Sequence, residues 1–379
     1  MHIVVVGAGI LGASTAYHLA LAGSDVTIID QVHDGRATVA GAGIICPWVS
    51  GSEDTAFYRL YVGAARYYSE LTPALAELGQ TDLGYCRVGA LVLSSDADEL
   101  AIFKETLCHR RSDTPEMGAI SLLSARDAKT LFPPLRADFA ALHVAGGARV
   151  DGRRMAAALL CAAQSWGAKR IEAHAELTAD AERVTGVRVR GQPLAADCVI
   201  VTAGAWAPSL LNPLGITLSI EPQRGQIVHL YLPGQDTRDW PVVLPPGSHY
   251  LLAFDGGRIV AGATRESGLG FDYRVTAAGQ AEVLTQALHV APGLACATIL
   301  ETRVGFRPVG PSVRPMLGSV QGIEGLLIGN GLGAAGLTIG PFAGRLLADR
   351  ALGCELPLDI TPFDPLRSTR AGAQTLSLR

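Results

Sequence analysis

Residues 2–30 read HIVVVGAGILGASTAYHLALAGSDVTIID, and this stretch decides the fold. Residues 3–6 are a short β-branched run, the pattern of a strand buried on both faces. A glycine turn follows, then a helical stretch over residues 12–22 that stops at Gly23. Residues 26–29 form a second buried strand ending at Asp30. The glycines match G-x-G-x-x-G: Gly7, Ala8, Gly9, Ile10, Leu11, Gly12. In a chain with 44 glycines that match alone is weak. Here a strand precedes it, a helix follows it, and an acidic residue closes the next strand, which is a complete dinucleotide-binding βαβ unit. Gly7 permits the tight turn and Gly9 lets the backbone approach a pyrophosphate. Gly12 lets the helix pack closely on the sheet, and the helix N-terminus attracts the anion. Asp30 is placed to accept hydrogen bonds from a ribose. The alternative is a glycine turn in a nucleotide-free α/β domain.

Just beyond the second strand, residues 35–44 read GRATVAGAGI. An extended cofactor lying along a surface needs such small residues, and this favours FAD over NAD; taken alone, the segment also reads as a flexible glycine loop. Further out, helices are expected across 55–78, 97–131 (with a loop around 113–116), 153–166, 276–290 and 339–352. Strands are expected at 89–94, at several places up to 189, at 199–203 running into Gly204, and at 325–328. The alternation from 226 to 263 predicts antiparallel strands with turns at 245–247 and 255–257. Nucleotide-type strands thus stand at the start, middle and end, with antiparallel strands between. The expected fold is α/β, or α+β overall, with two interleaved discontinuous domains.

Composition narrows the function classes. The 379 residues are 49% hydrophobic and 17% charged, so a sizeable core is available and a mainly disordered chain is excluded. The 31 basic and 35 acidic residues leave a net charge of -4, with no basic face for nucleic acid. Only Lys104, Lys129 and Lys169 are lysines. Seven scattered cysteines without a CxxC spacing argue against a disulfide framework or a zinc site and fit a reducing cytoplasm. Neither a signal peptide nor an apolar run of about 18 residues is read, so a cytoplasmic protein without a membrane span is expected. The nine histidines form no HxxxH or HExxH pattern, so no metal site is expected. The absence of GxSxG disfavours a serine hydrolase.

Taken together the motifs resemble the D-amino acid oxidase family of FAD-dependent oxidoreductases, which includes D-amino acid dehydrogenase, glycine oxidase and sarcosine oxidase. The resemblance rests on GAGILG at 7–12, ATVAGAGIICP at 37–47, VIVTAGAWAPSL at 199–210 and PQRGQIVHL at 222–230. It rests further on GGRIVAGATRES at 256–267, GFRPVGPSVRPMLG at 305–318 and GNGLGAAGLTIGPFAG at 329–344. It implies a glutathione-reductase-like Rossmann FAD domain (residues 1–85, 145–220 and 300–379) interleaved with an antiparallel-sheet substrate domain (86–144 and 221–299). It implies that Asp30 and Gln31 meet the ribose and adenine, that Ala37 and Thr38 line the phosphate path, and that Ala42, Gly43 and Ile44 run beside the flavin. Glu176 falls where the family uses strand backbone at the adenine. Gly204 completes that set, and Leu332, Gly333, Ala334, Ala335, Gly336, Leu337 and Thr338 bring backbone groups to the flavin ring. Trp206 is expected to pack under the cofactor.

For substrate, the resemblance assigns Arg307 to the carboxylate, where a planar fork of donors matches two oxygens. Tyr250 is expected to add its hydroxyl to the same carboxylate, with a half-buried sheet tyrosine as the alternative. No catalytic acid or base is named. Two departures stand out. Ala334 occupies the position of a second arginine of glycine oxidase, and Val309 replaces the cysteine through which sarcosine oxidase attaches its flavin, so FAD is expected to be non-covalent. The expected reaction is oxidative deamination of a small amino acid, a D-amino acid first, by hydride transfer to the flavin, giving a 2-oxo acid and ammonia. The electron acceptor, oxygen or a quinone, is left open. A 2-hydroxy acid dehydrogenase, a secondary-amine oxidase of the sarcosine or proline type, and a non-catalytic FAD-binding subunit are the alternatives.

Overall fold

A computed structural model describes residues 1–367; from residue 368 on, the end of the expected FAD-binding segment lies outside the described residues. The βαβ unit forms as strand His2–Val6, helix Ile10–Leu21 and strand Asp25–Asp30. Its strands sit in a six-stranded sheet ordered Met316–Ser319, Leu326–Asn330, Cys198–Val201, His2–Val6, Asp25–Asp30, Lys169–Glu172. Neighbours run parallel except at the Met316–Ser319 edge. Both faces of this sheet are covered, so its central strands are apolar throughout: Ile3, Val4 and Val5 are fully buried. A small antiparallel sheet of Ala175–Asp180, Arg183–Val189 and Gln192–Ala195 packs beside it.

The second layer is an eight-stranded sheet ordered Thr298–Val309, Glu221–Tyr231, Arg258–Gly262, Tyr250–Ala253, Val242–Leu244, Ala90–Ser94, Ala140–Val144, Ile120–Leu123. It is antiparallel except where Val242–Leu244 meets Ala90–Ser94. Helix Ala277–Val290 closes one side through Val283, Ala287 and Val290. Among the described residues no helix is long and apolar enough to cross a membrane.

The structure differs from the sequence reading in four places. Residues 97–131 are not helical throughout, because Ile120–Leu123 pairs with Ala140–Val144 as an edge strand. Residues 55–78 hold one helix, Thr55–Glu77, that runs through Pro73. The last helix starts three residues early, at Gly336. Strand Thr298–Val309 pairs along its length with Glu221–Tyr231, so the boundary expected at residue 300 falls inside a strand of the large sheet.

Helix Gly336–Ala351 contains Pro341, which has no N–H to donate to the carbonyl one turn earlier. That carbonyl belongs to Leu337, and the buried Tyr68 hydroxyl donates to it. The Pro341 carbonyl in turn accepts from the Ser14 hydroxyl at 2.6 Å, joining this helix to helix Ile10–Leu21. Tyr68→Phe leaves a buried carbonyl unpaired, so a destabilisation of about 1–3 kcal/mol is expected. Urea unfolding at constant m-value checks it, and an unchanged midpoint would show that the bond contributes nothing.

Candidate active site

A cleft of about 450 Å³ runs between the two large sheets, within the usual range for small-molecule and cofactor sites. One end is built by the βαβ unit. Gly7, Gly9, Ile10 and Leu11 line it. Gly7 has φ +106°, and a Cβ there would lie 2.6 Å from the Thr202 carbonyl oxygen. Gly12 does not line the cleft; a Cβ on it would lie 1.9 Å from the Gly7 oxygen, so its role is the close helix–sheet packing expected of it. Helix Ile10–Leu21 begins with no side-chain cap on Gly9 and no acid in its first turn. Its positive end therefore faces the cleft with no acid of the helix's own first turn beside it.

Asp30 lines the cleft but is nearly buried. Its Oδ1 accepts from the Ala8 N–H at 2.9 Å, and its Oδ2 lies 3.3 Å from Arg36 and 3.9 Å from Arg170. Asp30 thus ties down the glycine turn, a task the sequence did not show. An ionised carboxylate has about four acceptor sites, so capacity remains for a ribose. Gln31 lines the same end, its Oε1 2.9 Å from His174 Nδ1. Glu176 lies outside the lining. Strand alternation buries Ala175 toward the cleft and turns Glu176 out to Arg188, 3.5 Å away.

Small residues continue along the cleft as Ala37, Thr38, Ala42, Gly43 and Ile44. The Thr38 hydroxyl accepts from the Ile10 N–H at 2.9 Å, bringing this segment onto the helix N-terminus. From the opposite side come Gly204, Leu332, Gly333, Ala334, Gly336 and Leu337. Ala335 and Thr338 stand behind this surface, and the Thr338 hydroxyl donates to the Ile44 carbonyl at 2.9 Å. Trp206 is not a core residue. It lines the cleft half-exposed, stacked on His33 at 4.5 Å and 6° and against Phe271 at 5.0 Å and 15°. An elongated cleft with an open helix N-terminus at one end and glycine and alanine along its walls fits FAD.

The other end carries charge. Arg307 and Tyr250 line the cleft together, and Arg265 lines it with them. Arg307 comes from strand Thr298–Val309 and Tyr250 from Tyr250–Ala253. Their planar groups lie over glycines: a Cβ on Gly225 would meet the Arg307 guanidinium at 2.5 Å, and one on Gly262 the Tyr250 hydroxyl at 2.5 Å. Arg307 donates to the Thr264 carbonyl at 3.1 Å. Among the described residues, no carboxylate forms an ion pair with Arg307 or Arg265, in a chain where most arginines have one. Burial pushes the Arg307 pKa down, and Arg265 adds to this, while Tyr250 opposes it. Burial pushes the Tyr250 hydroxyl up, and the two guanidiniums pull it back. This end of the cleft is therefore short of negative charge.

The sequence reading missed Arg265, although it lies in the ATRES segment already noted. Arg303 is largely buried between Glu301 and the Val39 carbonyl. His249 lies off the cleft, beside Glu282 at 3.2 Å.

Residues 2–350 match the protein-family profile described as FAD dependent oxidoreductase. The chain is 51% identical over 363 residues to an uncharacterized oxidoreductase, YurR, of Bacillus subtilis, covering 96% of this chain and 98% of that one. It is 31% identical over 368 residues to a glycine oxidase of Pseudomonas aeruginosa, again covering 96% and 98%. The crystal structure of iminodiacetate oxidase from Chelativorans sp. BNC1 superposes with a TM-score of 0.94 at 53% identity, covering 96% of this chain and 98% of that one.

Proposed function

The chain belongs to the family of FAD-dependent oxidoreductases, and from that premise we propose that it oxidises a small amine bearing a carboxylate on the adjacent carbon. The preferred substrate is a secondary amine of the iminodiacetate type. One observation carries this reading: two arginines without acidic partners share one end of the cleft with a tyrosine hydroxyl. The 53% identity to an iminodiacetate oxidase moves the choice from a D-amino acid, the first expectation, to the secondary amine among the alternatives.

When bound, FAD supplies the acceptor for the hydride that leaves the amine's α-carbon, after which water splits the imine into an amine and a 2-oxo acid. The protein's part is placement. Arg307 grips the carboxylate with two donors, which fixes its plane as well as its position. Tyr250 donates to the same carboxylate, and Arg265 adds the second positive charge. Two guanidiniums disfavour a third cation nearby, so the amine is held neutral, with a lone pair free to assist hydride loss. Ala334 leaves room beside this site that a larger side chain would fill. Aligned in this way, the α-carbon meets its acceptor without a further search.

A panel of iminodiacetate, sarcosine, glycine, D-alanine and glycolate tests this reading. Iminodiacetate is expected to turn over fastest, releasing glyoxylate and glycine in equal amounts. A clear preference for D-alanine would restore the D-amino acid reading, and turnover of glycolate alone would show a hydroxy-acid enzyme. Running the panel with oxygen and with a quinone separates oxidase from dehydrogenase.

A further inference from the structure

The segment that follows strand Arg258–Gly262 carries Arg265 into the cleft, and a buried network beneath it decides which way that arginine faces. Arg224 and Glu266 form an antiparallel bridge: each backbone N–H donates to the other's carbonyl at 2.9 Å. Residues directly opposite in a bridge share a face, and neighbours along the chain point to opposite faces. On strand Glu221–Tyr231, Gly225 faces the cleft and Arg224 faces away. Glu266 therefore lies on the side away from the cleft and Arg265 on the cleft side. A slip of one residue would exchange them, bringing a carboxylate into the anion site.

The side chains hold this register. Arg224, 3% exposed, donates to a Glu266 oxygen and bonds Asp272 at 2.8 Å. The other Glu266 oxygen accepts from Gln226 and from the Thr264 hydroxyl, each at 2.8 Å. Gln226, fully buried, also binds Thr276 through the Thr276 N–H and hydroxyl, both at 2.9 Å. One guanidinium thus fastens both limbs of the 265–276 loop, and Phe271 within it rests on Trp206 at the cleft wall.

We propose that Arg224 and Glu266 are positioning residues for substrate: their pairing locks the strand register that presents Arg265, and not Glu266, to the carboxylate. This rests on the reading of the cleft as a carboxylate site. Lysine at 224 keeps the charge but cannot bridge Glu266 and Asp272 with a planar fork.

The test is a double-mutant cycle on the FAD-loaded enzyme, reading the iminodiacetate concentration for half-maximal anaerobic flavin bleaching. Arg224→Lys is expected to raise that concentration about tenfold, and Arg265→Ala at least as much. Arg224→Lys/Arg265→Ala should match Arg265→Ala alone, because no Arg265 remains to be placed. If Arg224→Lys fails to fold or to retain FAD, Glu266→Gln takes its place in the cycle. Losses that multiply in the double variant would overturn the proposal, since a general structural role adds to any other defect. An Arg265→Ala that binds normally while Arg307→Ala does not would overturn the positioning claim and leave the carboxylate reading standing. Normal binding in both, or none in wild type, would overturn the reading and the positioning with it.

Discussion

Arg307→Ala is expected to lose about 30-fold or more in kcat/KM for iminodiacetate, because removing one partner of a desolvated charge pair costs on the order of 2–5 kcal/mol. The loss should be large here because Arg265 is exposed where Arg307 is partly buried, so solvent screens it and it does not replace the desolvated two-point contact. Arg307→Lys separates charge from geometry. It keeps a cation but gives up the planar two-point contact, so the substrate should bind more weakly and also sit less squarely, and both KM and the rate of flavin reduction should suffer. FAD content should stay near wild type in both variants, since the guanidinium lies at the end of the cleft away from the glycine turn. Anaerobic stopped-flow reduction measures this. A variant Arg307→Ala that reduces as fast as wild type at low iminodiacetate would place the carboxylate elsewhere.

The second large effect is expected from Asp30→Ala. Charge-assisted hydrogen bonds are worth roughly 1.5–3 kcal/mol, so FAD affinity should fall by about 10-fold to 150-fold. The variant also removes the bond from the Ala8 N–H, which loosens the turn where the pyrophosphate approaches. Titration of apoprotein with FAD, followed by flavin fluorescence, reads the change. The measurement presupposes that FAD leaves the denatured chain, as Val309 in place of a cysteine leads one to expect. Flavin that stays on the polypeptide would refute non-covalent binding, and an unchanged affinity would remove Asp30 from the ribose.

The parts of this site that were legible in sequence are those coded locally. The turn Gly7–Gly12 with Asp30 reads directly because strand, turn and helix follow one another between residues 2 and 30, and each glycine answers a local steric demand. Arg307 was legible only through the resemblance of GFRP to its family; a lone arginine in a strand has no signature of its own. Arg265 shows what was hidden. In sequence it stands beside Glu266, and an Arg-Glu pair at a strand end reads as two solvated charges. Which of the two faces the cleft depends on the register with Arg224, about forty residues away in the chain, and no local pattern carries that. Glu176 and Ala175 differ in the same way, by strand parity set through pairing with Arg183–Val189. Trp206 lines the cleft, but its stacking partners, His33 and Phe271, come from distant loops, and GAW itself carries no sign of them.

The measurement that bears most directly on the central claim is a single anaerobic mixing of the FAD-loaded protein with iminodiacetate. The visible flavin absorbance is expected to bleach, with one glyoxylate appearing for each FAD reduced. Flavin that stays oxidised with iminodiacetate, sarcosine, glycine and D-alanine alike, in a protein that binds FAD normally, would contradict it.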